Sequence, residues 1–213
     1  MLPLAGAAAY FILEILPELN QSRSGLKAKK GLGKLINPSR DLNAATDNFT
    51  IVDTVENSTK LAAEYLNKEM FAEAKALYEK CLTGIHETDP DIMYGLAQSE
   101  YGLENYAQTR QVLDDLIKEN PNYKNVDAHL LYAKTLVKLE ETEAALKELA
   151  ALDEYYPGPE ATYRYAMLLE SQGKTDQAEE LLEKILQEAK LSDKHYRARY
   201  KTWISKTKQS LKK

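Results

Sequence analysis

A chain of 213 residues with 44% hydrophobic content is long and apolar enough to bury a core, which excludes wholesale disorder. Its single cysteine, Cys81, excludes an internal disulfide and a cysteine-ligated metal site, and the histidines His86, His129 and His195 stand far apart. The net charge of −5 is uneven: residues 1–40 carry six basic and two acidic groups, residues 41–189 thirteen and thirty, and residues 190–213 nine and one. An acidic body repels phosphate backbones, so no nucleic-acid partner is expected over the main surface.

The first element in chain order is "MLPLAGAAAYFILEILPEL", which predicts an apolar membrane-anchor helix over residues 1–22. Residues 1–16 as a helix would be about 24 Å long, short of the roughly 30 Å of a bilayer core. A signal peptide fits poorly, because no positive charge precedes the run and Glu14 lies inside it. Residues 23–40 form a basic linker with Arg23, Lys27, Lys29, Lys30, Lys34 and Arg40. Positive charge just after an apolar segment is the cytoplasmic flank of an anchor, so a membrane-anchored chain with its body in the cytoplasm is expected. Residues 41–54 predict a short leading helix from the spacing of Leu42, Ala45, Phe49 and Val52, although "FTIV" has strand propensity.

Residues 55–190 are self-similar. The segments "LAAEYLNKEMFAEAKALYEKCL", "LAQSEYGLENYAQTRQVLDDLI", "YAKTLVKLEETEAALKELAALD" and "YAMLLESQGKTDQAEELLEKIL" each open on a large apolar residue followed by alanine: Ala62, Ala97, Ala133 and Ala166. A small residue follows at Ala74, Thr109, Ala145 and Ala178, spaced 35, 36 and 33 apart. Four residues on come Tyr78, Leu113, Leu149 and Leu182, and three beyond those Cys81, Leu116, Leu152 and Ile185. Offsets of three and four mark one face of a helix, and two such runs around a polar break make a helical hairpin. A repeat of this size cannot bury its apolar face alone and must stack on its neighbours.

These segments resemble the tetratricopeptide repeat, whose eighth and twentieth positions are small so that adjacent helices approach closely. The resemblance implies an all-α solenoid of four helical hairpins. Pro121 and Pro157 match the closing proline of the pattern. The early tryptophan of the family is replaced by Ser58, Met93, His129 and Thr162, and only the last repeat keeps glycine in its turn, as Gly173.

Residues 191–213 predict a capping helix, with Ser192 as the residue that caps its start. Tyr196, Tyr200, Trp203, Ile204 and Leu211 make one apolar face, suited to covering the open end of the stack. The opposite reading, a basic helix for nucleic acid or anionic lipid, rests on Lys194, Arg197, Arg199, Lys201, Lys206 and Lys208; the aromatic face favours the cap.

The N-terminal "LPLAGAAAYFILEILPEL" with its basic stretch and "INPSRDL" also looks like the second membrane helix of the phospholipase D nuclease N-terminal domain. Some bacterial tetratricopeptide proteins carry that hairpin ahead of sequences similar to "DTVENSTKLAAEYL". The resemblance implies that the first membrane helix is missing from this chain. It implies no nuclease activity, since no histidine is followed by the lysine and aspartate of that signature.

Nothing in the chain reads as catalytic, and no enzyme activity or cofactor is expected. The acidic pairs Asp114-Asp115, Glu140-Glu141 and Glu179-Glu180 are adjacent on helices and diverge, and neither a phosphate-binding glycine loop nor metal-ligand spacing occurs. The expected site is the groove that the resemblance implies, lined by positions of each first helix outside the packing stripe. It comprises Tyr94, Gln98, Tyr101, Leu130, Lys134, Lys138, Tyr163 and Met167, flanked by Asp91, Asp127 and Glu160. Tyrosine rings supply apolar area and ammonium groups attract acidic side chains, so a protein or peptide segment is the expected partner, with the membrane a second partner through residues 1–22. The function read from this is a membrane-tethered adaptor. The alternative is an accessory structural subunit of a membrane assembly, held by the apolar segment itself.

Overall fold

The computed structural model describes residues 39–212, and among them eleven α-helices and one short 3-10 turn make the fold, with no strand. A leading helix, α1 (Arg40–Ile51), packs on the first of four hairpins. The hairpins are α2 (Val55–Asn67) with α3 (Phe71–Cys81), α4 (Pro90–Gly102) with α5 (Tyr106–Glu119), α6 (Val126–Lys138) with α7 (Thr142–Tyr155), and α8 (Pro159–Ser171) with α9 (Thr175–Leu191). Two short helices, α10 (Lys194–Arg199) and α11 (Lys201–Ser210), close the array. The expected apolar helix at residues 1–22, its basic linker up to residue 38 and the phospholipase-like hairpin lie outside the described residues. Among the described residues no helix is long and apolar enough to cross a membrane.

The first helices of the first three hairpins start where a side chain accepts from the unpaired amides, Thr54 doing so for α2. Asp89 Oδ1 accepts from the amides of Asp91 and Ile92 at 3.0 and 3.1 Å, and Asn125 Oδ1 accepts from Asp127 and Ala128 at 3.0 Å each. Pro90 and Pro159 open α4 and α8 with the fixed φ and missing donor that the first helical position tolerates. At the C-terminal end the capping residue is Asp193, not the expected Ser192: its Oδ1 accepts from the Tyr196 amide at 2.8 Å. The caps are each worth about 1 kcal/mol.

Stacking follows from the small residues of the repeat. Ala62, Ala74, Ala97, Thr109, Ala133, Ala145 and Ala166 have no exposed surface, and Ala178 has 2%. Around them Leu113, Leu136, Leu149 and Leu152 are fully buried, each contributing about 1.5–3 kcal/mol of apolar transfer. The same logic reaches its limit at Gly95, where a Cβ would lie 2.3 Å from the Tyr78 ring. The ring of α3 therefore rests on bare backbone of α4.

The core is not one body. One cluster joins the first two hairpins and includes Leu131 of α6; a second holds Leu130, Ala133, Leu149, Leu152 and Ala161; a third holds Ala166, Leu169, Ala178, Leu182 and Ile185. Helix α6 contributes to the first two and α8 to the last two. Between the first two hairpins a polar tie supplements packing: Glu100, 2% exposed, accepts from Lys75 Nζ and Asn105 Nδ2, both at 2.8 Å. A buried carboxylate must be compensated in this way or neutralised.

The turns inside the hairpins share a left-handed residue at one position of the repeat. It is Glu69 at φ 58°, Glu104 at 62° and Glu140 at 60° in the first three, and Gly173 at 76° in the fourth. Only the glycine adopts this region without strain.

Candidate functional site: a groove on the first helices

The first helices of neighbouring hairpins touch one another, α2 with α4 and α4 with α6, and their free faces form a continuous surface. On that surface Tyr101 of α4, Lys134, Val137 and Lys138 of α6, Leu149 of α7 and Tyr163, Arg164, Met167, Leu168 and Ser171 of α8 line a cavity of about 310 Å³. Five of the eight expected groove residues meet there: Tyr101, Lys134, Lys138, Tyr163 and Met167. Tyr94 and Gln98 are half-buried on α4 outside it, and Tyr94 packs against the first core cluster. Leu130 differs from the expectation. It is 5% exposed and belongs to the cluster of Leu149, Leu152 and Ala161, so its side chain is part of the core rather than of the groove surface.

Helix α11 packs behind two of the lining residues, Tyr163 and Met167. Trp203 lies 5.5 Å from the Tyr163 ring, and Ser210 Oγ stands 3.3 Å from the Tyr163 hydroxyl and 3.7 Å from Met167 Sδ. Arg164 and Lys206 approach the Trp203 ring at 5.2 and 4.4 Å from its centroid. The break between α10 and α11 falls at Tyr200, whose hydroxyl donates to the Pro157 carbonyl and whose ring covers Gly158. The closing segment is thereby pinned to the start of α8. Arg164 and Trp203 were not among the expected groove residues. Their sequence signals were Glu160 four residues before Arg164, and the aromatic face assigned wholly to the cap.

The cavity is electrically distinctive. Its charged residues are Lys134, Lys138 and Arg164, with no carboxylate in the lining, although the body around it is strongly acidic. Arg164 is paired with Glu160 at 2.7 Å, whereas among the described residues no carboxylate stands within ion-pair distance of Lys134 or Lys138. Lys134 instead lies over the Tyr101 ring at 4.8 Å, and Lys138 over Tyr106 at 5.5 Å. Burial pushes the Lys134 ammonium below the usual lysine value, Arg164 adds to this, and Glu160 opposes it. Burial also raises the Tyr101 phenol.

The other rim of the groove is acidic. Glu56, Asp91, Asp127 and Glu160 occupy the first turns of α2, α4, α6 and α8, where the helix dipole favours negative charge. Tyr123 donates to Asp91 at 2.8 Å and Tyr156 to Asp127 at 2.9 Å, so each closing loop holds the carboxylate of its own repeat. Lys134 and Lys138 lie seven and eleven residues beyond Asp127 on α6, hence about 10 and 16 Å along its axis.

A second hollow, of about 730 Å³, opens beside the loop between the second and third hairpins. His129 sits there in the place of the family tryptophan, its Nε2 2.7 Å from Glu148 and its Nδ1 against the Tyr155 hydroxyl. Among the described residues no group of three or more His, Cys, Asp or Glu is arranged to hold a metal ion.

Tetratricopeptide-repeat family profiles match residues 56–83, 101–162 and 133–193. No curated protein matches the chain in sequence. Among solved structures it is similar to MamA at 19% identity, covering 68% of this chain and 85% of that one with a TM-score of 0.58. It is also similar to TTC0263, a thermophilic tetratricopeptide-repeat protein of Thermus thermophilus, at 21% identity, 84% and 96% coverage and a TM-score of 0.59. A third likeness is YrrB, described as a tetratricopeptide-repeat protein with an unusual peptide-binding site, at 22% identity, 74% and 81% coverage and a TM-score of 0.55. The chain carries tetratricopeptide repeats, and its described residues fold as an all-α tetratricopeptide-repeat solenoid.

Proposed function

We propose that this chain is a non-enzymatic adaptor that holds a segment of a partner protein in the groove on its first helices. The observation that carries the reading is the cavity in which α4, α6 and α8 together present Tyr101, Lys134, Lys138, Tyr163 and Met167. Apolar lining with a few convergent polar groups is the usual composition of a recognition pocket. The peptide-binding site described for YrrB, a protein of similar fold, adds support. The adaptor works at a membrane: the support is the sequence of residues 1–22 and the basic residues after it, which orient the repeats toward the cytoplasm. Concentrating a partner at that surface raises its effective concentration without further contacts.

The test is affinity capture from gently solubilised membranes of the native host. It compares the intact chain, a chain starting at Asp41, and a full-length Tyr94→Ala, Tyr101→Ala, Lys134→Ala variant that keeps its helical circular dichroism. The shortened chain should retain a partner that the triple variant loses. Capture by the triple variant at wild-type level would sink the groove reading. Capture by the intact chain alone would favour an accessory subunit held by its apolar segment.

A further inference from the structure

We infer that the segment held by this groove is one of mixed charge: an acidic side chain with an apolar neighbour seats in the Tyr101–Lys134–Tyr163 cavity, and basic residues face the opposite rim. The inference rests on the adaptor reading and deepens it by naming the chemistry of the ligand.

Three observations converge. The cavity is lined by three cations and no carboxylate; Arg164 is paired with Glu160, which leaves Lys134 and Lys138 without an ion-pair partner among the described residues, inside a body whose residues 41–189 carry thirty acidic against thirteen basic groups. Lys134 is half-buried over a tyrosine ring with no carboxylate within ion-pair distance, so the hydration it has lost is replaced only in part, by the ring face. A desolvated, prepositioned ammonium gains more from an incoming carboxylate than a solvated one does, because the low local dielectric strengthens the pair and little side-chain freedom remains to be lost. The remaining lining, Val137, Leu149, Tyr163, Met167 and Leu168, is apolar, and about 310 Å³ accepts an acidic side chain together with an apolar neighbour.

The acidic rim sets the second half of the specificity. Asp91 and Asp127 occupy the first turns of α4 and α6, Asp127 about 10 and 16 Å along its helix from Lys134 and Lys138, whereas Glu56 and Glu160 are already paired with Lys60 and Arg164. A uniformly acidic segment would satisfy the cavity and be repelled by this rim, and a uniformly basic one would do the reverse. Placing like charge against like charge is an efficient way to reject wrong partners. A segment bearing opposite charges on its two flanks satisfies both and is fixed in orientation across the groove.

The experiment selects random sixteen-residue peptides displayed on phage against the full-length chain in detergent, with binding of the winners measured by fluorescence anisotropy. Winners should carry Asp or Glu next to an apolar residue and Lys or Arg several positions away. Changing that acidic residue to its amide should weaken binding about tenfold or more. Lys138 is exposed, so Lys138→Glu leaves the fold intact, and with Lys134→Met it should cause a comparable loss. A peptide whose acidic residue is replaced by lysine should regain affinity for the Lys138→Glu chain. Winners without an acidic residue, tight binding of polyacidic peptides, or indifference to both lysine changes would overturn the mixed-charge ligand while leaving the adaptor standing. Failure of every peptide to bind would overturn both. Sedimentation of the free chain covers the remaining occupant: a dimer dissolved by Lys138→Glu would assign the groove to a second copy and defeat the proposal.

Discussion

Replacing the left-handed glutamates should stabilise the array, because the repeat itself shows what belongs there. Glu69, Glu104 and Glu140 hold φ values of 58–62° at the position where the fourth hairpin has Gly173. A residue with a Cβ loses roughly 1–2 kcal/mol in the left-handed helical region. Glycine at the same place gives back about 0.5–1 kcal/mol through the greater freedom of its unfolded chain. The balance is a gain of about 0.5 kcal/mol per turn, and sites in separate hairpins add. The triple Glu→Gly variant should gain about 1.5 kcal/mol, a rise in Tm of about 3–6 °C for a chain of this size. None of the three carboxylates makes an ion pair among the described residues, so no contact is lost. Thermal and urea denaturation read the effect, with the triple Glu→Ala variant as control: it removes the same charges from an acidic body but keeps the Cβ. Equal gains from alanine and glycine would show that charge, not backbone strain, is the cause, and no gain from glycine would refute the argument altogether.

Other outcomes follow from the packing. Gly95→Ala drives a methyl group into the Tyr78 ring and should destabilise by about 1–3 kcal/mol in urea melts; an unchanged midpoint would mean that α3 and α4 separate freely. Lys75→Met leaves Glu100 buried with only Asn105, and because the lysine is partly exposed the expected loss is about 2–3 kcal/mol, below that of a fully buried pair. Lys134→Met should do the opposite and stabilise the chain at pH 7. The folded lysine titrates below its unfolded value, so the unfolded state binds more protons between the two pKa values and wild-type stability rises with pH across that window. The advantage of the methionine variant should therefore shrink as pH approaches the ordinary lysine value, and a pH-independent difference would point to packing instead.

The fold was legible because the repeat concentrates its information in a few positions. All eight small residues read from the spacing are buried where helices cross, since any larger side chain there would force the hairpins apart. The turns were less legible: a glutamate in a polar break gives no sign of a left-handed backbone, and only Gly173 betrayed the shared geometry. In the groove, helical position located Tyr101, Lys134, Lys138, Tyr163 and Met167, but position alone does not say how deep a side chain sinks. Leu130 has no polar end to keep it at the surface and went to the core. Arg164 and Trp203 escaped because their pairing joins segments almost forty residues apart, a distance no local period can report.

The division of the core into three clusters bears on how the protein would respond to being filled. Solenoids of this kind open by local steps, with stability summed from units and the interfaces between them. The walls of the cavity come from α4 in the first cluster, α6 shared by the first and second, and α8 shared by the second and third. An occupant that grips all three walls binds only when the three bodies are folded and in register. Occupancy would then convert a sequence of separate openings into a single cooperative event, and hydrogen exchange in hairpins that never touch the ligand would slow together.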